Sequence, residues 1–131
     1  MNILYDTDFL INLFVTNESN HKKAITIKNK VEFAYYNILN LVTYEFATVL
    51  SRKFDQDFAL SILTDFEKIK NLEIIYLNKT QEEKVWNLFK GYSKKNISFV
   101  DCANLVIAQE FNLKIASFDK FYPKELLINN F

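Results

Sequence analysis

Apolar positions along this chain follow two periods. Short runs at Asn2–Tyr5, Val31–Tyr36, Leu72–Leu77 and Lys114–Phe118, with a last one at Glu125–Ile128, predict five strands. Between them, apolar residues recur at third and fourth positions. That spacing predicts helices from Phe9 to Phe14, His21 to Lys30, Leu41 to Arg52, Asp55 to Lys68, Thr80 to Ser93 and Ser98 to Phe111. Strands interleaved with helices predict an α/β layered domain with a mostly parallel sheet. Right-handed crossovers then collect the carboxyl ends of the strands along one edge, where such domains build their sites.

The stretch Ile97–Phe121, ISFVDCANLVIAQEFNLKIASFDKF, is the most informative. Ser98 is a helix N-cap candidate with Asp101 in the first turn. Val100, Ala103, Ile107 and Phe111 form an apolar stripe, with Leu105 and Ala108 beside it. Asn112 suits the left-handed turn at a helix end. A short strand follows, and Asp119 stands where it should stop. A helix that runs back antiparallel to the next strand brings its own start close to that strand's end, so Asp101 and Asp119 are expected to face one site. Capping accounts for either residue singly: Ser98-x-x-Asp101 reads as a capping box, and Asp119 can turn the chain.

The first strand candidate runs into Asp6, Thr7 and Asp8 before a helix, the order found at the carboxyl end of a parallel strand. One of the two acids can cap that helix, but not both. In the helix from Leu41, the residues Val42, Phe46 and Val49 make an apolar stripe that also carries Glu45, and glutamate is seldom buried without a partner. Tyr44 can cover the same edge. The capping box Thr80-x-x-Glu83 opens the next-to-last helix, whose Val85, Trp86 and Phe89 read as core. His21, the only histidine, is far in sequence from every acid pair and reads as a surface residue, which argues against a histidine general base.

The 131 residues suit one domain over 1–131, and with 50% apolar and 16% aromatic residues it can build a core. Sixteen basic and sixteen acidic residues cancel, so no overall basic field marks the chain for nucleic acid. One cysteine excludes an internal disulfide and a Cys-built zinc site, and one glycine excludes a Gly-rich phosphate loop. No apolar run reaches membrane-spanning length and the N-terminus lacks a signal-peptide pattern, so the expectation is a cytoplasmic protein without a membrane partner.

Four segments, ILYDTDFLI, TYEFATVL, SFVDCANLVIA and SFDKFY, occur in an order and spacing that resembles the PIN-domain ribonucleases. The length resembles the VapC-type toxins of bacterial toxin–antitoxin pairs. The resemblance covers nearly the whole chain and implies a PIN-like fold with a short, mostly parallel five-stranded sheet, the first strand lying beside the fourth. It carries the acid positions over as Asp6, Glu45, Asp101 and Asp119. Thr7 matches the small hydroxyl after the first acid, and Ser98 the serine three before the third. Asp8 replaces the Asn or Ser often found there, which leaves its membership of the site open. The resemblance further implies Mg²⁺ or Mn²⁺, an RNA substrate, and a small antitoxin protein whose tail lies in an apolar groove, for which Phe9 and Phe14 are candidate walls. Thirteen Phe and seven Tyr are also compatible with a homodimer.

The residue chemistry agrees. Carboxylates are hard oxygen ligands suited to these ions, which can activate water and align a phosphodiester without histidine. Two carboxylates about 5 Å apart at an effective dielectric near 20 repel by roughly 3 kcal/mol, so four converging acids call for a cation. Two other readings remain. Asp6-Thr7-Asp8 can be read as the DxD of a haloacid-dehalogenase-like phosphohydrolase with Asp6 as nucleophile, although Phe9 and Leu10 follow it and Asp119 stands alone. A catalytically silent interaction domain is the third reading, against which the presence of all four acids argues.

Overall fold

The computed structural model describes residues 2–31 and 34–128. Its strands are β1 (Ile3–Tyr5), β2 (Tyr36–Leu39), β3 (Leu72–Ile75) and β4 (Lys114–Ala116), in the order β3-β2-β1-β4 with every pairing parallel. Ile3 lies opposite Tyr36 on one side and Lys114 on the other, so β1 is central and adjoins β4. Ile3, Leu4 and Tyr5 are withdrawn from water on both faces, and no alternation shows in so short a central strand.

Among the described residues six helices cover the sheet: α1 (Thr7–Phe14), α2 (His21–Lys30), α3 (Asn40–Lys53), α4 (Gln56–Glu67), α5 (Lys79–Lys90) and α6 (Phe99–Phe111). Val42, Phe46 and Leu50 hold α3 to the core, and Cys102, Ala103, Ile107 and Ala108 hold α6. The chain moves outward from β1 to β2 and β3, then returns to the opposite side for β4. That reversal opens a crevice at the carboxyl ends of β1 and β4.

Several local expectations shift. The second strand is Tyr36–Leu39 rather than Val31–Tyr36: Val31 is in a turn, and positions 32–33 lie outside the described residues. Asn37, which looked like a connection, pairs in the ladder and its side chain donates to the Ile3 carbonyl at 3.2 Å. Among the described residues the sheet has four strands, because the expected strand Glu125–Ile128 is replaced by a 3₁₀ turn at Lys124–Leu126 and a single Ile115–Leu127 bridge to β4. The run at Leu72 is a half-buried edge strand that ends at Ile75. The capping box of α5 is Asn78 with Gln81, two residues ahead of the Thr80–Glu83 candidate. Phe111 is exposed, outside the α6 stripe it was expected to share. His21 is half-buried, its Nδ1 lying 2.8 Å from the Asn12 carbonyl oxygen. Asn112 does take the left-handed conformation, at φ 53°.

Candidate active site

Asp6 ends β1 and caps α1, so its backbone is fixed from both sides. Its side chain is 4% exposed and accepts four hydrogen bonds. Thr7 N (2.8 Å) and Asn104 Nδ2 (3.1 Å) donate to Oδ1, while Ser117 Oγ and Tyr122 Oη donate to Oδ2, each at 3.0 Å. Asp8, in the first turn of α1, accepts from Ser117 Oγ (3.1 Å) and from Phe118 N (3.1 Å). The single Ser117 proton is therefore shared between two carboxylates, and Asp119 N donates to the same oxygen at 3.0 Å. The crevice between β1 and β4 is thus tied together by Ser117, the first residue after β4.

Asp101 lies in the first turn of α6. Ser98 Oγ accepts from Asp101 N and Asp101 Oδ2 accepts from Ser98 N, each at 3.0 Å, so the capping box forms. Asp119 Oδ1 accepts from Phe121 N at 3.0 Å, a local turn. Among the described residues Asp101 takes hydrogen bonds from Ser98 alone, and nothing donates to the second oxygen of Asp119 or to the carboxylate of Glu45. The structural roles and a shared site are compatible.

Electrostatics links these acids into one group. Burial pushes the Asp6 carboxyl up to about 7, with repulsion from Asp8 and Asp101 adding to it. Burial likewise raises Asp8 to about 6, and Asp119 contributes repulsion. Asp101 is raised by burial, then by Asp119 and Glu45, against the opposing bonds from Ser98. Among the described residues no Lys or Arg pairs with any of the five. Asp8 and Glu45 also line a cleft of about 300 Å³ with Thr7, Ile11, Asn12, Val49 and the Glu18–Lys53 ion pair, whose members are 2.6 Å apart.

The donor set fits a hard divalent cation: oxygen only, mutually repelling, and accompanied by the buried Thr7 Oγ1, which has no hydrogen-bond partner. The side chains are nonetheless apart as placed, since among the described residues no three acids are gathered tightly enough to hold an ion. Asp6 is the reason on its side, with both oxygens committed to four donors.

Three contributors were missed in the sequence: Asn104, Ser117 and Tyr122. Asn104 did leave a signal, a polar residue on the buried stripe of α6 between Ala103 and Ile107. Phe9 is wholly buried, stacked on Phe118 at 5.3 Å, and cannot wall a groove. Phe14 instead lines a separate cleft with Leu13, Ile25, Tyr36 and Ile69.

The sequence profile of the PIN domain matches residues 3–124. The chain belongs to the PIN-domain family. No curated protein matches its sequence. Among solved structures, this PIN domain is similar to the VapC20 toxin of Mycobacterium tuberculosis, described as cleaving the sarcin–ricin loop, at a TM-score of 0.80 and 18% identity over 92% of both chains. It also resembles a toxin–antitoxin complex from Klebsiella pneumoniae, with a TM-score of 0.59 and 19% identity over 92% of this chain and 88% of that one. A third likeness is to VapBC2 of Rickettsia felis bound to a promoter DNA fragment, with a TM-score of 0.63 and 17% identity over 91% and 89%. At these identities the likeness is one of fold. Among the described residues no helix is long and apolar enough to cross a membrane.

Proposed function

We propose that this PIN domain is a divalent-metal-dependent endoribonuclease and the toxin of a toxin–antitoxin pair. The observation that carries the reading is the electrostatic coupling of Asp6, Asp8, Asp101, Asp119 and Glu45 at the crevice between β1 and β4, with no cationic side chain among the described residues to balance them. Asp6, Glu45, Asp101 and Asp119 are the residues that would hold Mg²⁺ or Mn²⁺, with Asp8 a fifth carboxylate and Thr7 and Ser98 supporting them. Asp6 would do so by giving up one of its four hydrogen bonds to the ion. When bound, the ion supplies charge neutralisation and Lewis-acid polarisation of the scissile phosphate. The chain's own work is positional. Ser98 fixes Asp101, Ser117 sets Asp8 against Asp119, and the open oxygens of Asp119 and Glu45 can accept hydrogen bonds from the attacking water.

The haloacid-dehalogenase-like alternative needs Asp6 as a free nucleophile. An oxygen pair already accepting four hydrogen bonds at 4% exposure is poorly placed for attack. The cleft that Asp8 and Glu45 share suits an antitoxin tail, with Ile11 and Val49 as apolar walls in place of Phe9, and acids at one end to meet a basic side chain. The test is cleavage of structured RNA by purified protein in Mg²⁺ and in EDTA. We expect cleavage with Mg²⁺ alone, and a fall on the order of 100-fold for Asp101→Asn, whose amide oxygen keeps the bond to Ser98 N. Equal cleavage in both solutions, or by both proteins, rejects the reading.

A further inference from the structure

Trp86 and Tyr92 are 45% and 38% exposed, although the sequence pattern puts Trp86 in the core. Neither ring is loose. Trp86 packs on Phe99, the first residue of α6, at 4.5 Å, one residue from the Ser98 cap that fixes Asp101. Tyr92 packs edge-on to Phe121 at 5.4 Å, and Phe121 N holds Asp119 Oδ1. Phe121 in turn meets Tyr122 at 5.2 Å, and the Tyr122 hydroxyl touches Asp6. Tyr92 is therefore one aromatic contact from a residue that positions a site acid, and Trp86 one contact from the chain neighbour of another.

Charge is distributed around the same rim. The segment from Lys90 to Asn96, KGYSKKN, has three lysines and no acid, and Lys120 follows Asp119 directly. Lys90, Lys94, Lys95 and Lys120 are exposed and make no ion pair among the described residues. Between Trp86 and Lys90 lies an open hollow of about 630 Å³, with Asn87 and one acid, Glu83, on its wall. In a chain of zero net charge this local excess is not part of a general basic field.

From this arrangement we propose that Trp86, Tyr92, Lys94, Lys95 and Lys120 form a docking rim for single-stranded RNA that leads the strand into the acidic centre. The inference rests on the nuclease reading above. Aromatic faces accept any base by stacking, and lysines beside them meet the phosphates, the combination used for single strands. Anchored rings suit this better than mobile ones, because less freedom is lost on binding. The separation of charge also resolves a conflict within the site, since five carboxylates repel the phosphates they must approach and the lysines offset that repulsion from outside.

Fluorescence anisotropy with a labelled single-stranded RNA of about 12 nucleotides, in EDTA to prevent cleavage, tests the rim. Salt is varied over roughly 50–200 mM. The Lys94→Ala/Lys95→Ala double variant should lower the slope of log affinity against log salt by about 1.4, at about 0.7 per phosphate contact. Tyr92→Ala should weaken binding by about tenfold or more at every salt, while Tyr92→Phe keeps it. Wild-type melting temperatures in all three variants exclude misfolding as the cause. Unchanged affinity and slope, with Mg²⁺-dependent cleavage retained, overturn the rim and leave the nuclease reading standing. Substitutions that weaken capture of the antitoxin but not of RNA assign the surface to the protein partner and also overturn it. Absence of both binding and cleavage in the wild type rejects rim and nuclease together.

Discussion

The rings of Phe14, Phe46 and Phe66 and the carboxylates of Asp6, Asp8 and Asp101 are both largely withdrawn from water, with opposite energetics. The rings meet pairwise at 5.4–6.1 Å, and Phe46 is wholly buried. Every contact there favours the fold, through apolar area and aromatic edges worth about 0.5–1.5 kcal/mol per pair. In the acid cluster each added carboxylate raises the proton affinity of its neighbours, so its ionised form opposes folding. One region stabilises the domain for its own sake; the other costs stability, which in the proposed reading a bound cation would offset.

The sharpest way to separate them is Phe46→Ala. It should cost about 3–5 kcal/mol in chemical denaturation, because the cavity opens among packed rings, with RNA cleavage per folded molecule unchanged. A matching loss of cleavage would mean that the two regions are coupled and the contrast fails.

The pH dependence of the metal-free protein is the next largest effect. Asp6 and Asp8 bind their protons more tightly folded than unfolded, so their protonated forms stabilise the fold. That contribution is complete below the ordinary carboxyl value of 3.8. It disappears as pH rises through about 6 for Asp8 and about 7 for Asp6. Thermal melts in EDTA should therefore fall from about pH 5 to about pH 8, with Asp6 alone accounting for on the order of 2–4 kcal/mol. Asp6→Asn should flatten the profile and melt no lower than wild type near neutrality. Its Oδ1 can still face Thr7 N and Asn104, and its Nδ2 can face the hydroxyls of Ser117 and Tyr122, which can accept. Millimolar Mg²⁺ should restore the wild-type melt at high pH by mass action and leave Asp6→Asn little changed. Identical wild-type melts in EDTA and Mg²⁺ would remove the metal site.

The smallest effect expected is that of Tyr122→Phe. It keeps the ring contact with Phe121 and deletes one of the four donors to Asp6. The loss should be about 1–2 kcal/mol above pH 8, where Asp6 is ionised, and less at pH 5. A loss independent of pH would show that the hydroxyl serves packing rather than the carboxylate.

Much of this domain was written locally. A strand running into Asp6, a capping box around Asp101, the left-handed Asn112 and Glu45 on an apolar helix face are each decided by a few neighbouring residues, so they were legible before any fold was known. Local rules failed where two local solutions competed. Asn78–Gln81 and Thr80–Glu83 both spell a helix start, and the first one forms. VEFAYY is the better strand pattern, yet YNIL pairs with β1, where Ile38 and Leu39 are buried and Asn37 donates to the carbonyl of Ile3, 34 positions away. The four-donor cage of Asp6 depends on Asn104, Ser117 and Tyr122, at 98, 111 and 116 positions' distance, and no periodicity reports such partners. The same holds for Asp8, whose membership of the cluster is decided by Ser117 and Phe118 across the β1–β4 junction. Backbone propensity and capping act within a turn or two, so the sequence by itself determined the elements and the acids at their ends. Burial and long-range hydrogen bonds exist only once β4 lies beside β1, so tertiary structure alone decided which of those acids are held, raised and coupled.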